Sequence, residues 1–115
     1  MSIKASTRQV NGVTIVDLNG SIMEGKDVSV LRDTVEDLLG KGQKKILLNL
    51  SDVPHIDSSG LATLVRALTS VRNQGGELKL VHLTKKVHYL LQITKLYNVF
   101  DVRDDEAAAI AAFGS

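Results

Sequence analysis

Cysteine is missing from the 115 residues, which excludes disulfides, thiolate metal sites and cysteine nucleophiles. Tryptophan is missing too, and proline occurs once, at Pro54. The four remaining aromatic residues, Tyr89, Tyr97, Phe100 and Phe113, all lie in the last quarter, too few and too clustered for a base-stacking platform. Neither sign of charge dominates. Fourteen Lys and Arg against thirteen Asp and Glu leave +1, which argues against direct nucleic-acid binding through many phosphate contacts. No apolar run approaches the roughly 18 residues of a membrane span, so no membrane insertion is expected. The opening Met-Ser-Ile-Lys-Ala-Ser lacks the apolar stretch of a signal peptide. A cytoplasmic, reducing location fits these absences.

What is present is the balance of an ordinary folded globule, 43% hydrophobic and 23% charged. At this length a single domain over residues 1–115 is expected, burying roughly 65% of its extended surface. The charge is unevenly spread: −1 over residues 1–57, +5 over 58–100 and −3 over 101–115. The middle segment either faces an acidic partner or carries scattered, solvated cations; Lys85-Lys86 is its one adjacent basic pair.

Turn signals cut the chain into short units. Residues 13–19 alternate and are rich in β-branched side chains, which reads as a strand. Asn11-Gly12 before it is a hairpin-turn dipeptide, so roughly 3–10 should be its antiparallel partner. A loop, residues 20–26, leads to a helix with Asp27 as its expected N-cap and Val28, Leu31, Val35, Leu38 and Leu39 on its apolar side. Gly40 and Gly42 end it. Residues 46–50, Ile-Leu-Leu-Asn-Leu, have the continuous apolar character of a central strand covered on both faces. Pro54 breaks the chain. A second helix follows, with Leu61, Leu64, Val65, Leu68 and Val71 spanning an arc of about 120°. Gly75-Gly76 stops it. Leu78 to Leu83 reads as a strand, Thr84 as the cap of a short helix through Val87, Leu90 and Leu91, and residues 100–102 as a last strand. Asp104, Asp105 and Glu106 fall in a first helical turn, where acids suit the helix dipole, and residues 107–113 complete that helix. The order ββαβαβαβα implies an α/β fold with a mixed sheet.

Chemistry is expected at one stretch, Asp52-Val53-Pro54-His55-Ile56-Asp57-Ser58-Ser59-Gly60-Leu61, between the central strand and the second helix. In open α/β sheets, sites collect beyond the carboxyl ends of strands. A helix start adds free N–H groups and partial positive charge. Asp57 or a serine here either simply caps the helix or forms part of a functional site. A catalytic serine is disfavoured: G-x-S-x-G is missing and no His–acid pair is evident to activate Ser58 or Ser59. His55, His82 and His88 are too dispersed for a metal site, and neither glycine-rich phosphate motif occurs, so no cofactor is expected.

Residues 46–61 resemble the signature of the STAS domain as found in bacterial anti-sigma factor antagonists, and the likeness extends over nearly the whole chain through the element order, Gly75-Gly76 and the Leu90-Leu91 helix. The resemblance implies a STAS-like mixed sheet with helices and a non-enzymatic, partner-switching protein. Ser58, directly after the motif Asp57, is then the phosphorylated residue. Unphosphorylated, such a protein binds an anti-sigma factor serine kinase and releases the sigma factor; phosphorylation inactivates it and a serine phosphatase restores it. Asp57, Ser58, Ser59, Gly60, Met23 and Glu24 are the implied partner-binding residues, with Gly60 letting a partner approach the backbone. Met23 stands near the place where many of these antagonists carry an acid, and Glu24 is the available substitute. Ile22 and Met23 either form an apolar contact patch or plug the loop onto the core. The alternative is a non-switching STAS regulatory subunit of a transporter or signalling complex, with Ser58 only a cap.

Overall fold

The structure, a computed structural model, describes residues 3–114. Strands β1 (Lys4–Val10) and β2 (Val13–Asn19) form the expected hairpin. Asn11 and Gly12 between them have φ of 51° and 81°, the double positive φ of a type I′ turn, whose twist matches that of the two strands. From β2 onward every pairing is parallel: β2 with β3 (Lys45–Asp52), β3 with β4 (Glu77–Val81), and β4 with β5 (Asp101–Arg103). The sheet order is therefore the chain order, with β3 in the middle.

The pleat of β3 divides the core. Ile46, Leu48 and Leu50 point to one face, where α1 (Lys26–Gly40), α2 (Ser58–Asn73) and α3 (Lys85–Ile93) pack over them. Leu47 points to the other and joins Val13, Ile15, Val81, Ala109 and Phe113 beneath α4 (Glu106–Ala111). All four β3 side chains are fully buried, as the apolar run requires for a strand covered on both faces.

Four local expectations are corrected. Helix α1 begins two residues earlier than an Asp27 cap implies. Gly25, at φ 101°, is its N-cap and offers no side chain. Asp27 sits in the first turn, where its carboxylate accepts from the N–H of Ile3 at 3.1 Å and of Met23 at 3.2 Å. Strand β4 stops at Val81 because His82 turns into the left-handed region, φ 58°. Strand β5 begins at Asp101, and Phe100 before it is buried in the helix-covered core. Of the three acids at α4, Asp105 is the cap, accepting from the Ala108 N–H at 2.9 Å, and Asp104 lies outside the helix. The helix ends at Ala111, so Phe113 packs from beyond its end.

Glu106, the remaining acid, has a tertiary partner. Arg8 on β1 donates to Asp17 at 2.7 Å and to Glu106 at 2.5 Å, and Asn49 donates to Asp17 at 2.8 Å. The Arg8 guanidinium holds the Asp17 carboxyl below the usual carboxylate range, although these side chains are too exposed for the network to be a main source of stability. Core burial carries that load. Leu48→Ala, emptying space at the sheet centre, should lower the unfolding free energy by about 3 kcal/mol in a urea titration. A loss under about 1 kcal/mol would contradict the central packing assigned to β3.

Candidate functional site

Beyond the carboxyl ends of β2 and β3 the two chains stay together. Gly20 N–H donates to Asp52 O at 3.0 Å, Ile22 N–H to His55 O at 2.9 Å, and Asp57 N–H to Ile22 O at 3.3 Å. Ile22 and Ile56 form a parallel bridge. The parallel pairing of the sheet thus continues into its loops and ends where α2 begins. Ile22 is fully buried in the core, so it is a plug and not a contact surface. Met23, 38% exposed, points outward, which separates two residues that the sequence left together.

Asp57 closes this structure. One carboxylate oxygen accepts from the Gly60 N–H at 2.8 Å and caps α2. The other accepts from the Glu24 N–H at 2.8 Å and ties down the β2–α1 loop. These two backbone donors hold the Asp57 carboxyl below the usual carboxylate range, Gly60 contributing most. Asp57 therefore carries its negative charge in a fixed place beside Ser58.

Ser58 is the first residue of α2 and is exposed. Its hydroxyl makes no hydrogen bond among the described residues, and no histidine reaches it. Ser59 is half-buried, and its carbonyl accepts from the Thr63 hydroxyl at 2.9 Å. Glu24, exposed, shares a shallow depression with Ser58, Ser59 and Arg66.

Gly60 has a different role from an opening toward a partner. It is buried, and a Cβ there would overlap the Ile22 carbonyl oxygen and lie 2.9 Å from the Cγ2 atoms of both Ile22 and Ile56. The missing side chain lets the first turn of α2 settle onto the chain's own loop. Sequence reasoning also missed Asp27, whose contacts to Ile3 and Met23 come from two directions in the chain, and Arg66, which no motif marks. The signal for Asp27 was an acid just after a glycine turn, read there as a cap.

His55 is exposed and offers its carbonyl, not its ring, to the loop. His88 packs its ring edge-on to Tyr97, 4.8 Å between centroids. Among the described residues no three His, Asp or Glu side chains gather to hold a metal ion. No helix of the described residues is long and apolar enough to cross a membrane.

The profile of the STAS domain matches residues 4–109. A Thermotoga neapolitana protein named as a homolog of TM1081 is 40% identical over 75 residues, 65% of this chain and 66% of that relative. The anti-sigma-B factor antagonist of Bacillus subtilis is 31% identical over 102 residues, 89% of this chain and 92% of its own. The crystal structure of Thermotoga maritima TM1081 superposes with a TM-score of 0.87 at 31% identity, covering 95% of this chain and 93% of that one.

Two outcomes test the site geometry. Gly60→Ala should destabilise the fold by roughly 1–3 kcal/mol in denaturant unfolding, because the obstacle includes backbone; a neutral effect would contradict the close packing on Ile22. For Asp57, whose native pKa is depressed, the stabilisation is present above the unfolded value of about 3.9 and is lost as pH falls through the native value. The melting-temperature advantage of wild type over Asp57→Asn should therefore hold near neutrality and shrink in acid below about pH 4. A gap independent of pH would contradict the charge assigned to the cap.

Proposed function

The chain belongs to the STAS domain family, among the anti-sigma factor antagonists, and from that membership we propose that it is a partner switch controlled by phosphorylation of Ser58. Unphosphorylated, it binds an anti-sigma factor serine kinase and frees the sigma factor. The kinase phosphorylates Ser58 with ATP, which ends the complex, and a serine phosphatase resets it. One observation carries this reading: an exposed, unengaged hydroxyl at the start of α2, next to a carboxylate locked in place by two backbone donors.

The chemistry needs little from the antagonist itself. The Ser58 Oγ attacks the γ-phosphorus of ATP and an Oγ–P bond forms. The bond from that phosphorus to the β–γ bridging oxygen breaks and ADP leaves. The hydroxyl proton goes to a base on the kinase, since no side chain among the described residues hydrogen-bonds the Ser58 hydroxyl. Asp57, Ser59 and the loop at Met23 and Glu24 hold the hydroxyl in view, and Met23 and Glu24 add an apolar and an acidic contact to the partner surface.

The effect of the phosphate falls on the interface. It adds about −1.5 to −2 charges at one point. The start of α2 favours an anion, so the fold need not rearrange. A partner closing over the same point meets that charge together with Asp57, which is bonded in place and does not swing away. A penalty of ~3 kcal/mol is about a hundredfold in affinity.

Incubation with purified candidate anti-sigma kinases and Mg-ATP, followed by intact-mass measurement and site mapping, should find one phosphate on Ser58 and none on Ser58→Ala. In binding titrations, Ser58→Ala should match wild type and Ser58→Asp should bind at least tenfold more weakly, with unchanged melting temperatures. Equal binding by all three would reject the switch in favour of a STAS subunit whose Ser58 only begins a helix.

A further inference from the structure

Helices α1 and α2 do not close completely over the sheet. A partly enclosed pocket of about 140 Å³ lies between them. The buried Val35 and Ala67 and the half-buried Val28 give it apolar walls beside Ser70, and two guanidiniums, Arg32 and Arg66, share the rest of the lining with one carboxylate, Glu36. An apolar cavity of about 150 Å³ holds a benzene ring, so this one has room for a single leucine- or phenylalanine-sized side chain.

The pocket is continuous with the surface around Ser58. Val28, Thr63 and Arg66 line both it and the depression that holds Ser58, Ser59 and Glu24. Arg66 is exposed and forms no ion pair among the described residues. Side chains on a helix lean toward its N-terminus, which on α2 is the direction of Ser58. An apolar cavity beside an unpaired guanidinium has the form of an interface anchor: a desolvated pocket with a charge at its rim.

We infer that this pocket anchors the partner docking on the Ser58 loop, taking one apolar side chain of that protein flanked by a carboxylate that meets Arg66. The inference rests on the partner-switching reading and adds to it where the affinity resides. Ser58 then sits at one end of a longer contact, and the phosphate acts on a complex whose grip lies two turns further along α2.

The experiment uses the full chain and the kinase identified by the phosphorylation assay, loaded with ADP so that no transfer occurs, with affinity measured by calorimetry. Ser70→Leu, which places a side chain in the pocket, should weaken binding at least tenfold, whereas Ser70→Ala should bind as wild type does. Arg66→Glu should weaken it by a similar factor and flatten its salt dependence. Tyr89→Ala, on the exposed side of α3, should change nothing. Melting curves check folding, and should Ser70→Leu misfold, the exposed Arg66→Glu carries the decision. Unchanged affinity in both folded variants overturns the anchor, while a simultaneous loss in Ser58→Asp leaves partner switching standing. Weakening by Ser70→Leu and Arg66→Glu but not by Ser58→Asp supports the anchor and removes the switch. No binding by the wild type overturns both.

Discussion

The Asp57 carboxylate bonds to two backbone N–H groups, Gly60 three residues on and Glu24 33 residues back. Other features of the site depend on that pair of hydrogen bonds. Through Gly60 it begins α2; through Glu24 it fixes the loop that comes off β2. The two loops then lie in register, with Ile22 passing beneath Gly60 and bridging Ile56. A bulkier residue at position 60 or a shorter reach at position 57 would part the loops. Ser58 is exposed as a consequence: the residues on either side of it turn inward to cap and pack, and its own side chain is left facing solvent.

That arrangement separates the stability of the fold from the proposed switch. The core is built on β3, whose apolar side chains are sealed on both faces, and the ion pairs of Arg8 lie on the α4 side of the sheet. None of these requires the Ser58 hydroxyl. A group added there meets a helix start that favours negative charge, so folding stability changes little. A protein seated over the same spot has no such compensation, because burying an added charge beside Asp57 carries a desolvation cost. The proposed modification would therefore be mild for the fold and severe for an interface.

Much of this was legible in the sequence where the signal was local. Asn11-Gly12 specified its hairpin because a type I′ turn needs two positive φ values. The run at 46–50 specified a two-faced strand by the lack of any polar alternation. That Asp57 or a neighbouring serine could cap α2 was readable from residue type alone; the bond to Gly60 decides that it is Asp57. Contacts across the chain were not readable in this way. Asp27 looks like a cap by position, but its oxygens go to Ile3 and Met23, a choice made by folding and not by neighbours in sequence. Gly60 appeared to open the backbone to a partner, since a missing Cβ looks the same whether the space is filled by another molecule or by the chain's own Ile22. The end of α4 was overrun because alanines continue a helix readily, while Phe113 is held by its burial under the sheet.

Charge gives the clearest case of tertiary context deciding the meaning of a sequence pattern. The surplus of +5 over residues 58–100 and the deficit of −3 that follows are not two opposing patches. Lys79, from the positive segment, is buried and bonds at 2.7 Å to Asp101, from the negative one, with its ammonium 5.1 Å from the centre of the Phe113 ring. Asp101 also takes Arg103 at 2.8 Å, and Glu106 is drawn to Arg8 in β1. Lys79 thus fastens β4 to β5 and Glu106 ties α4 to β1, while the other five cations of residues 58–100 form no ion pair among the described residues. The cations left over are the informative ones. Lys85 and Lys86 start α3 in open solvent, where a charge contributes little. Arg66 differs because of its place: without an ion pair among the described residues, it lies beside the opening between α1 and α2, on the same side of α2 as the serine that the rest of the loop holds outward.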